Sequence, residues 1–126
     1  MTPDGSGYRR TPEYSLVYSA LASAARTGSQ VFHTEVAEIL GASRGEPGTV
    51  GEVGRLLTEI SEDEHLAGRP MLGAVVLTGK GIPGDVFFSA ARRLGKLASS
   101  DPAEEMTFWM AERRRVYDHW TSAEAR

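Results

Sequence analysis

The sequence contains no cysteine among its 126 residues. Disulfide bridges, thiolate nucleophiles and cysteine-based zinc or iron–sulfur centres are therefore excluded. Long apolar runs are absent as well. The longest extends from Gly73 to Leu77 behind Met71 and Leu72, far short of the roughly 20 residues that span a bilayer. The first ten residues lack the apolar core of a signal peptide, so the sequence predicts a cytoplasmic protein without a membrane partner.

The remaining composition is that of an ordinary globular protein, with 40% hydrophobic residues, 25% charged residues and a formal net charge of −3. The length is close to the commonest domain size of roughly 100–150 residues. We therefore expect a single globular domain over residues 11–121. A disordered, glycine-rich lead-in over residues 1–10 is predicted to precede it, and a frayed C-terminus over residues 122–126 to follow it.

The charge is unevenly distributed along the chain. Residues 33–65 carry two basic and eight acidic side chains, whereas residues 66–126 carry nine basic and seven acidic ones. A protein that binds nucleic acid by counterion release needs a basic face. The acidic centre of the chain therefore disfavours nucleic acid as a partner.

Five helices are predicted from apolar residues that recur at three- and four-residue spacings behind capping signals. The predicted N-caps are Thr11, Thr34, Thr49, Asp85 and Asp101. The first four helices are expected to end near residues 26, 41, 65 and 95. The uninterrupted apolar stretch from Met71 to Thr78 predicts one buried strand, and Val31 with Phe32 a short second strand. The fold class is therefore α+β and mainly helical.

The strings QVFHTEVAEILG, TVGEVGRLL and GAVVLTGKG follow one another within about residues 28–82. In this order they resemble the winged-helix domain of the alkyltransferase-like proteins and DNA alkyltransferases. The resemblance implies a winged-helix, helix-turn-helix core. The family's alkyl-accepting cysteine is missing, which excludes alkyl transfer. The position of its DNA-inserting arginine falls near Gly51, so no basic residue stands there, and the acidic Glu52 follows. The resemblance therefore implies the core of the fold without implying DNA contact.

A second resemblance extends over about residues 50–120. The string EHLAGRPMLGAVVLTGKGIPGDVFFSAARRLG, followed by FWMAERRRVYDHW, resembles a group of small bacterial proteins of uncharacterised activity. The resemblance implies that this combination of elements forms a stand-alone domain.

The densest polar cluster is Glu62-Asp63-Glu64-His65, with Arg69 close behind it. Carboxylates beside an imidazole can ligate a divalent metal or exchange protons. On a helix, however, only Glu62 and His65 would share a face, and one pair is fewer than the three or four ligands that a metal site needs. We therefore expect a solvated helix C-terminus and no metal, with Glu62 and His65 as the ligands in the alternative case.

The turn from Gly79 to Asp85 resembles phosphate-binding loops in placing glycines before a helix N-terminus. It lacks the G-x-x-x-x-G-K-[ST] order, and Pro83 removes one backbone donor. A nuclease would combine carboxylates with Lys80, but the predicted strand carries no acidic residue. We therefore predict a structural hairpin or wing turn with Lys80 in solvent.

Two basic clusters are present, one on each of the last two predicted helices. They consist of Arg92, Arg93 and Lys96, and of Arg113, Arg114 and Arg115. Either could contact phosphates or an acidic partner. The spacings of Glu112 to Arg115 and of Arg114 to Asp118 predict local ion pairs, which favours a self-paired face over nucleic acid.

Aromatic residues on the last two helices are expected to form the core between them, with Phe108 and Trp120 at its margins. Exposed there beside arginines, these two rings would have the composition of a protein–protein hot spot. We therefore predict a small non-catalytic interaction or regulatory module that binds a protein and has no cofactor. The predicted partner-binding residues are Trp120, Phe108, Arg113, Arg114, Arg115, Arg92 and Arg93. A winged-helix DNA-binding protein is the second hypothesis and a metal-dependent hydrolase the third.

Overall fold

The computed structural model describes residues 7–42 and 45–124, except for the side chains of residues 122–124. In chain order the elements are α1 (Pro12–Thr27), β1 (Val31–Phe32), α2 (His33–Gly41), α3 (Val50–Leu66), a 3-10 turn (Leu72–Val75), β2 (Val76–Leu77), α4 (Asp85–Arg93) and α5 (Pro102–Glu124). The prediction of a mainly helical α+β fold is thereby confirmed. In this part of the chain no helix combines the length and the apolar character that crossing a bilayer requires.

The N-termini of α1, α3 and α5 lie where the capping signals predict them. Thr11 Oγ1 accepts a hydrogen bond from the Tyr14 amide at 3.2 Å. Thr49 Oγ1 accepts one from the Glu52 amide at 3.1 Å, and the Glu52 carboxylate accepts one from the Thr49 amide at 2.8 Å. These side chains satisfy donors that a helix leaves free in its first turn. The corresponding contact in α5 joins the Glu104 amide to Asp101.

The N-cap of α2 lies two residues before the predicted position, and that of α4 lies one residue before it. The Phe32 amide donates to the Glu35 carboxylate at 3.0 Å, so Phe32 is the N-cap of α2 and the prediction of Thr34 is wrong. Gly84 holds the N-cap position of α4, which makes Asp85 the first helical residue. There its carboxylate still complements the positive end of the helix dipole.

The predicted strand from Met71 to Thr78 is wrong over most of its length. Residues 72–75 form a 3-10 turn, and only Val76–Leu77 is extended. The amides of Met71 and Gly73 donate to the side chains of Glu112 and Ser61, at 2.9 and 3.2 Å. Because these donors are bonded to side chains, they are not available for a strand ladder. The apolar composition predicted complete burial correctly, but not the backbone conformation.

The two short strands pair in parallel, with Val31 opposite Val76 and Phe32 opposite Leu77. A hairpin requires antiparallel neighbours, and the chain after β2 enters α4 without a further strand. The turn is closed internally, because the Thr78 amide and hydroxyl both donate to the Ile82 carbonyl, at 2.8 and 2.9 Å. Residues 79–84 therefore form a structural turn, as predicted, but it does not connect a hairpin.

The buried segment from Met71 to Leu77 lies at the centre of the molecule, where α1, α3 and α5 contact it. Helix α5 packs against this segment, and the indole Nε1 of its Trp109 donates to the Ala74 carbonyl at 2.9 Å. Helix α4 packs on α3. This arrangement brings the end of α3, the segment after it and the middle of α5 close together.

Residues 7–10 lie against α3, so the predicted disordered lead-in is wrong for them, while residues 1–6 lie outside the described part of the chain. The amides of Tyr8 and Arg9 donate to one carboxylate oxygen of Glu59, at 2.7 and 3.1 Å. The Arg9 guanidinium also contacts Glu62 and Asp63, both at 2.9 Å. At the other end α5 continues through Glu124, past the residue at which fraying was predicted, and residues 125–126 are not described.

Replacing Gly7 with alanine is expected to detach this N-terminal segment from α3. Gly7 has φ +105°, and an added Cβ would lie 1.6 Å from Oε2 of Glu59. We expect Gly7→Ala to lower the free energy of unfolding, measured by urea denaturation, for two reasons. The left-handed backbone is strained by a Cβ atom, and the loss of the charge-assisted hydrogen bonds to Glu59 adds about 2 kcal/mol to that cost. Gly28→Ala is the matched control, because Gly28 has φ +70° and open space around its Cβ position. Its expected loss is about 1–2 kcal/mol, from strain only, and equal losses for the two variants would contradict the predicted clash.

Candidate anion-binding pocket

The acidic end of α3 is bonded to other side chains, so the predicted solvated C-terminus is wrong. Glu64 is fully buried and accepts hydrogen bonds from Nε and Nη2 of Arg69, at 2.7 and 2.9 Å. The Tyr18 hydroxyl donates to the same carboxylate at 2.6 Å. Burial, together with this hydrogen bond, raises the pKa of Tyr18 to about 12. Glu64 is therefore a buried anion that fixes the orientation of Arg69.

The two candidate metal ligands have different surroundings. Glu62 contacts the guanidinium groups of Arg9 and Arg93, at 2.9 and 3.3 Å, whereas His65 lines a pocket beside Arg69. Among the described residues, no three histidine or acidic side chains lie close enough together to hold a metal ion.

A second buried carboxylate, Glu112, lies on the inner face of α5. It accepts hydrogen bonds from the Met71 amide at 2.9 Å and from the Arg115 guanidinium at 2.5 Å, and it contacts Lys96 Nζ at 2.5 Å. Burial acts to raise the pKa of Glu112, but the bonds from Lys96, Met71 and Arg115 outweigh it, and the pKa lies below its ordinary value. Glu112 is therefore ionised near neutral pH and holds two cations in place.

The cations bonded to these two carboxylates line an open surface pocket of about 330 Å³. Its lining consists of His65, Gly68, Arg69, Pro70, Lys96 and Arg115. The three cationic side chains, Arg69, Lys96 and Arg115, are paired with two buried carboxylates, Glu64 and Glu112, which leaves an excess of one positive charge. The pocket is therefore suited to bind an anion.

The cations of the pocket retain unused hydrogen-bond donors. Arg69 and Arg115 each contact their carboxylate through Nε and Nη2. Within the part of the chain that the structure describes, neither Nη1 has an acceptor, and Lys96 Nζ has Glu112 as its partner. A guanidinium carries five N–H donors and an ammonium three. Each of the three groups can therefore donate to a ligand without losing its internal contact.

The C-terminus of α3 borders the pocket, and the negative end of a helix dipole would weaken anion binding. The carbonyl groups of the last turn are, however, already bonded. The Ala67 amide donates to the Asp63 and Glu64 carbonyls, and the amides of Gly68 and Arg69 donate to those of His65 and Glu64, at 2.9–3.1 Å. These bonds compensate much of the partial negative charge at this end of the helix.

The predicted partner-binding arginines have different contacts. Arg92 contacts Glu105 at 2.8 Å, and Arg93 contacts Glu62 across the groove to α3. The guanidinium of Arg113 lies over the Trp109 ring, 4.3 Å from its centroid. Arg114 is 83% exposed and lies 4.0 Å from Asp118. Of the predicted set, only Arg115 lines the pocket.

The predicted aromatic hot spot is not exposed. Trp120 is buried, with the Arg26 guanidinium 5.2 Å and the Tyr18 ring 6.3 Å from its ring centroid. Phe108 is half-buried, with its ring centroid 5.9 Å from that of Phe87. The expectation that Trp120 would be available to a partner is therefore wrong.

The sequence carries one signal for the pocket, the position of Glu112 on α5. Glu112 lies on the same helical face as Trp109 and Val116, and this apolar face is buried. A carboxylate on a buried face needs a cation as partner. The position of Glu112 therefore predicts converging cations, although nothing local indicates that Lys96 is one of them.

Comparison with known proteins adds no assignment: no family model, curated protein or solved structure matches this chain. The two resemblances remain predictions from the sequence.

Proposed function

We propose that the protein is a cytoplasmic, non-catalytic interaction module that binds an acidic segment of a partner protein at the pocket of Arg69, Lys96 and Arg115. One observation supports this: buried carboxylates fix the three cations around an open pocket while leaving donors unused. Because these side chains are already ordered, binding an anion costs little additional conformational entropy.

The chemistry of the pocket supports binding rather than catalysis. A hydrolytic site needs a nucleophile or a general base within reach of the substrate. The carboxylates beneath this pocket, Glu64 and Glu112, are fully buried and bonded to the cations. Apart from the His65 imidazole, the charged side chains that line the pocket are cations, which act as hydrogen-bond donors toward a ligand.

DNA binding by a winged-helix core is the second candidate, and the exposed Arg55 on α3 favours it. The acidic residues of α3 are partly neutralised, because Glu59 lies 3.6 Å from Arg55 and Glu62 lies 2.9 Å from Arg9. Helix α3 is therefore less negative than its composition indicates. This candidate predicts an affinity that falls steeply with salt concentration.

A pair of neighbouring arginines tests the proposal. Arg115 lines the pocket, whereas Arg114 is exposed outside it, so Arg115→Gln and Arg114→Gln remove the same charge from adjacent positions. The immobilised wild type and both variants would be incubated with lysate of the source organism, and protein and nucleic acid would be measured in each eluate. We expect Arg115→Gln to retain about tenfold less of a specific protein, as for the loss of one charge-assisted hydrogen bond.

Arg114→Gln is expected to retain that protein at the wild-type level, and both variants should keep cooperative thermal unfolding. Equal retention by both variants would reject the pocket as the binding site. Nucleic acid in the eluate that disappears at high salt would instead support the DNA-binding candidate.

A further inference from the structure

We propose that the ligand group of this pocket is a phosphate monoester, an inference that rests on the proposed function of the same pocket. The pocket presents three cationic groups that come from three separate parts of the chain: Arg69 after α3, Lys96 after α4 and Arg115 on α5. A phosphate monoester presents three acceptor oxygens. Each oxygen can therefore face one cationic group.

The count of donors distinguishes a phosphate from a carboxylate. Each guanidinium has five N–H groups and uses two of them on its carboxylate, which leaves three, and Lys96 Nζ has two beyond the one that faces Glu112. A carboxylate has two oxygens and about four lone-pair sites, so it can accept from only part of these donors. A phosphate monoester presents a third oxygen and can accept from more of them.

The charge points in the same direction. Arg69, Lys96 and Arg115 exceed Glu64 and Glu112 by one positive charge, and the two carboxylates are fully buried. A phosphate monoester carries a charge of about −1.5 to −2 near neutral pH. The cationic pocket therefore attracts it more strongly than a carboxylate or a phosphodiester, each of which carries one negative charge.

The geometry of the two guanidinium groups also suits a phosphoryl group. Arg69 is held in a bidentate contact with the two oxygens of Glu64, at 2.7 and 2.9 Å, and Arg115 contacts Glu112 through two of its nitrogens. The plane of each guanidinium is thereby oriented before a ligand arrives, with its Nη1 side left for the ligand. Oriented guanidinium groups bind both phosphate and carboxylate, so this geometry supports an oxyanion, and the number of acceptor oxygens favours the phosphate.

The test is a titration of the isolated wild-type protein with inorganic phosphate at pH 7.5 and constant ionic strength, followed by amide and side-chain NMR shifts. We expect saturable shifts at Arg69, Lys96 and Arg115, and an apparent affinity for acetate that is about tenfold lower. Arg115→Gln should bind phosphate about tenfold more weakly, and Arg114→Gln should bind it like the wild type. The dispersion of the same spectra reports whether each variant is folded.

Absence of saturable shifts in the wild type would overturn the proposal, as would equal affinities for phosphate and acetate or equal losses in the two variants. If Arg115→Gln does not fold, Arg115→Lys takes its place. It keeps the charge but lacks the fork, so several-fold weaker phosphate binding is expected, and unchanged binding would count against the proposal.

A second set of titrations identifies the source of the phosphate group. The probes are a short phosphoserine peptide, its unphosphorylated counterpart and glycerol phosphate. Tighter binding of the phosphopeptide assigns the group to a partner protein, and equal or tighter binding of glycerol phosphate assigns it to a small molecule. Binding of inorganic phosphate but of none of these esters would overturn the monoester assignment.

The phosphate titration and the capture experiment can fail separately, because the titration needs no partner. Phosphate binding without capture of a specific protein rejects the protein partner alone. Capture that depends on Arg115 but is not accompanied by phosphate binding rejects the phosphate monoester alone.

Discussion

Replacing Glu112 with alanine is expected to lower the free energy of unfolding by about 3–5 kcal/mol, the usual cost of removing one partner from a buried ion pair. Lys96, whose side chain is 20% exposed, would lose its carboxylate, and the Met71 amide would lose its acceptor. The loss would be measured by urea denaturation at neutral pH.

The matched control is Asp118→Ala on the same helix. Asp118 is 73% exposed and lies 4.0 Å from Arg114. Exposed pairs of this kind contribute about 0–1 kcal/mol, so the control is expected to unfold almost like the wild type. A loss in Glu112→Ala no larger than that of Asp118→Ala would mean that the buried cluster does not stabilise the fold.

The contribution of Glu112 is expected to depend on pH in one direction. Its pKa in the folded protein lies below the ordinary value, so the unfolded chain binds a proton at higher pH than the folded one. The stabilisation is then complete above the ordinary pKa of glutamate and is lost as the pH falls through the folded-state pKa. Glu112→Gln should therefore unfold with a smaller loss relative to the wild type in acid than at neutral pH.

Replacing Trp109 with alanine is expected to lower the free energy of unfolding by about 3–5 kcal/mol. Trp109 is buried, its Nε1 donates to the Ala74 carbonyl at 2.9 Å, and the Arg113 guanidinium lies 4.3 Å above its ring. The substitution leaves a cavity between α5 and the buried central segment and removes the donor to Ala74. Urea denaturation followed by circular dichroism measures the loss.

The two tryptophans of α5 allow the hydrogen bond to be separated from the ring. Trp120 is also buried, but within the described residues its Nε1 has no acceptor. Trp109→Phe should therefore cost about 1–3 kcal/mol more than Trp120→Phe, because only the first leaves a carbonyl unpaired. Equal losses would show that the contact with Ala74 does not contribute.

The features of the fold that could be predicted are those specified within a few neighbouring residues. Thr49 and Glu52 bond each other's amides at the start of α3, and Gly28 with φ +70° ends α1. Such caps depend on side chains no more than about four residues away. The same local range explains why the ion pair of Arg115 with Glu112, three residues apart, was predicted correctly.

The predictions that failed depend on contacts between distant parts of the chain. Met71 to Thr78 is apolar enough for a strand, but the Met71 amide donates to Glu112, 41 residues away, and Gly73 donates to Ser61. The pairing of the buried Glu59 on α3 likewise depends on residues 7–10, which were predicted to be disordered. No local pattern carries this information.

The sequence by itself determined the class of the fold, most of its helix boundaries and the exclusion of cysteine chemistry, because capping, apolar spacing and composition are local properties. Only the tertiary structure decided which charged side chains are buried and which cationic side chains line the same pocket. Glu64 and Glu112 came to hold the cations of one pocket because three separate segments bring Arg69, Lys96 and Arg115 to them. A buried carboxylate must be paired, but which distant cation pairs with it depends on how the helices pack.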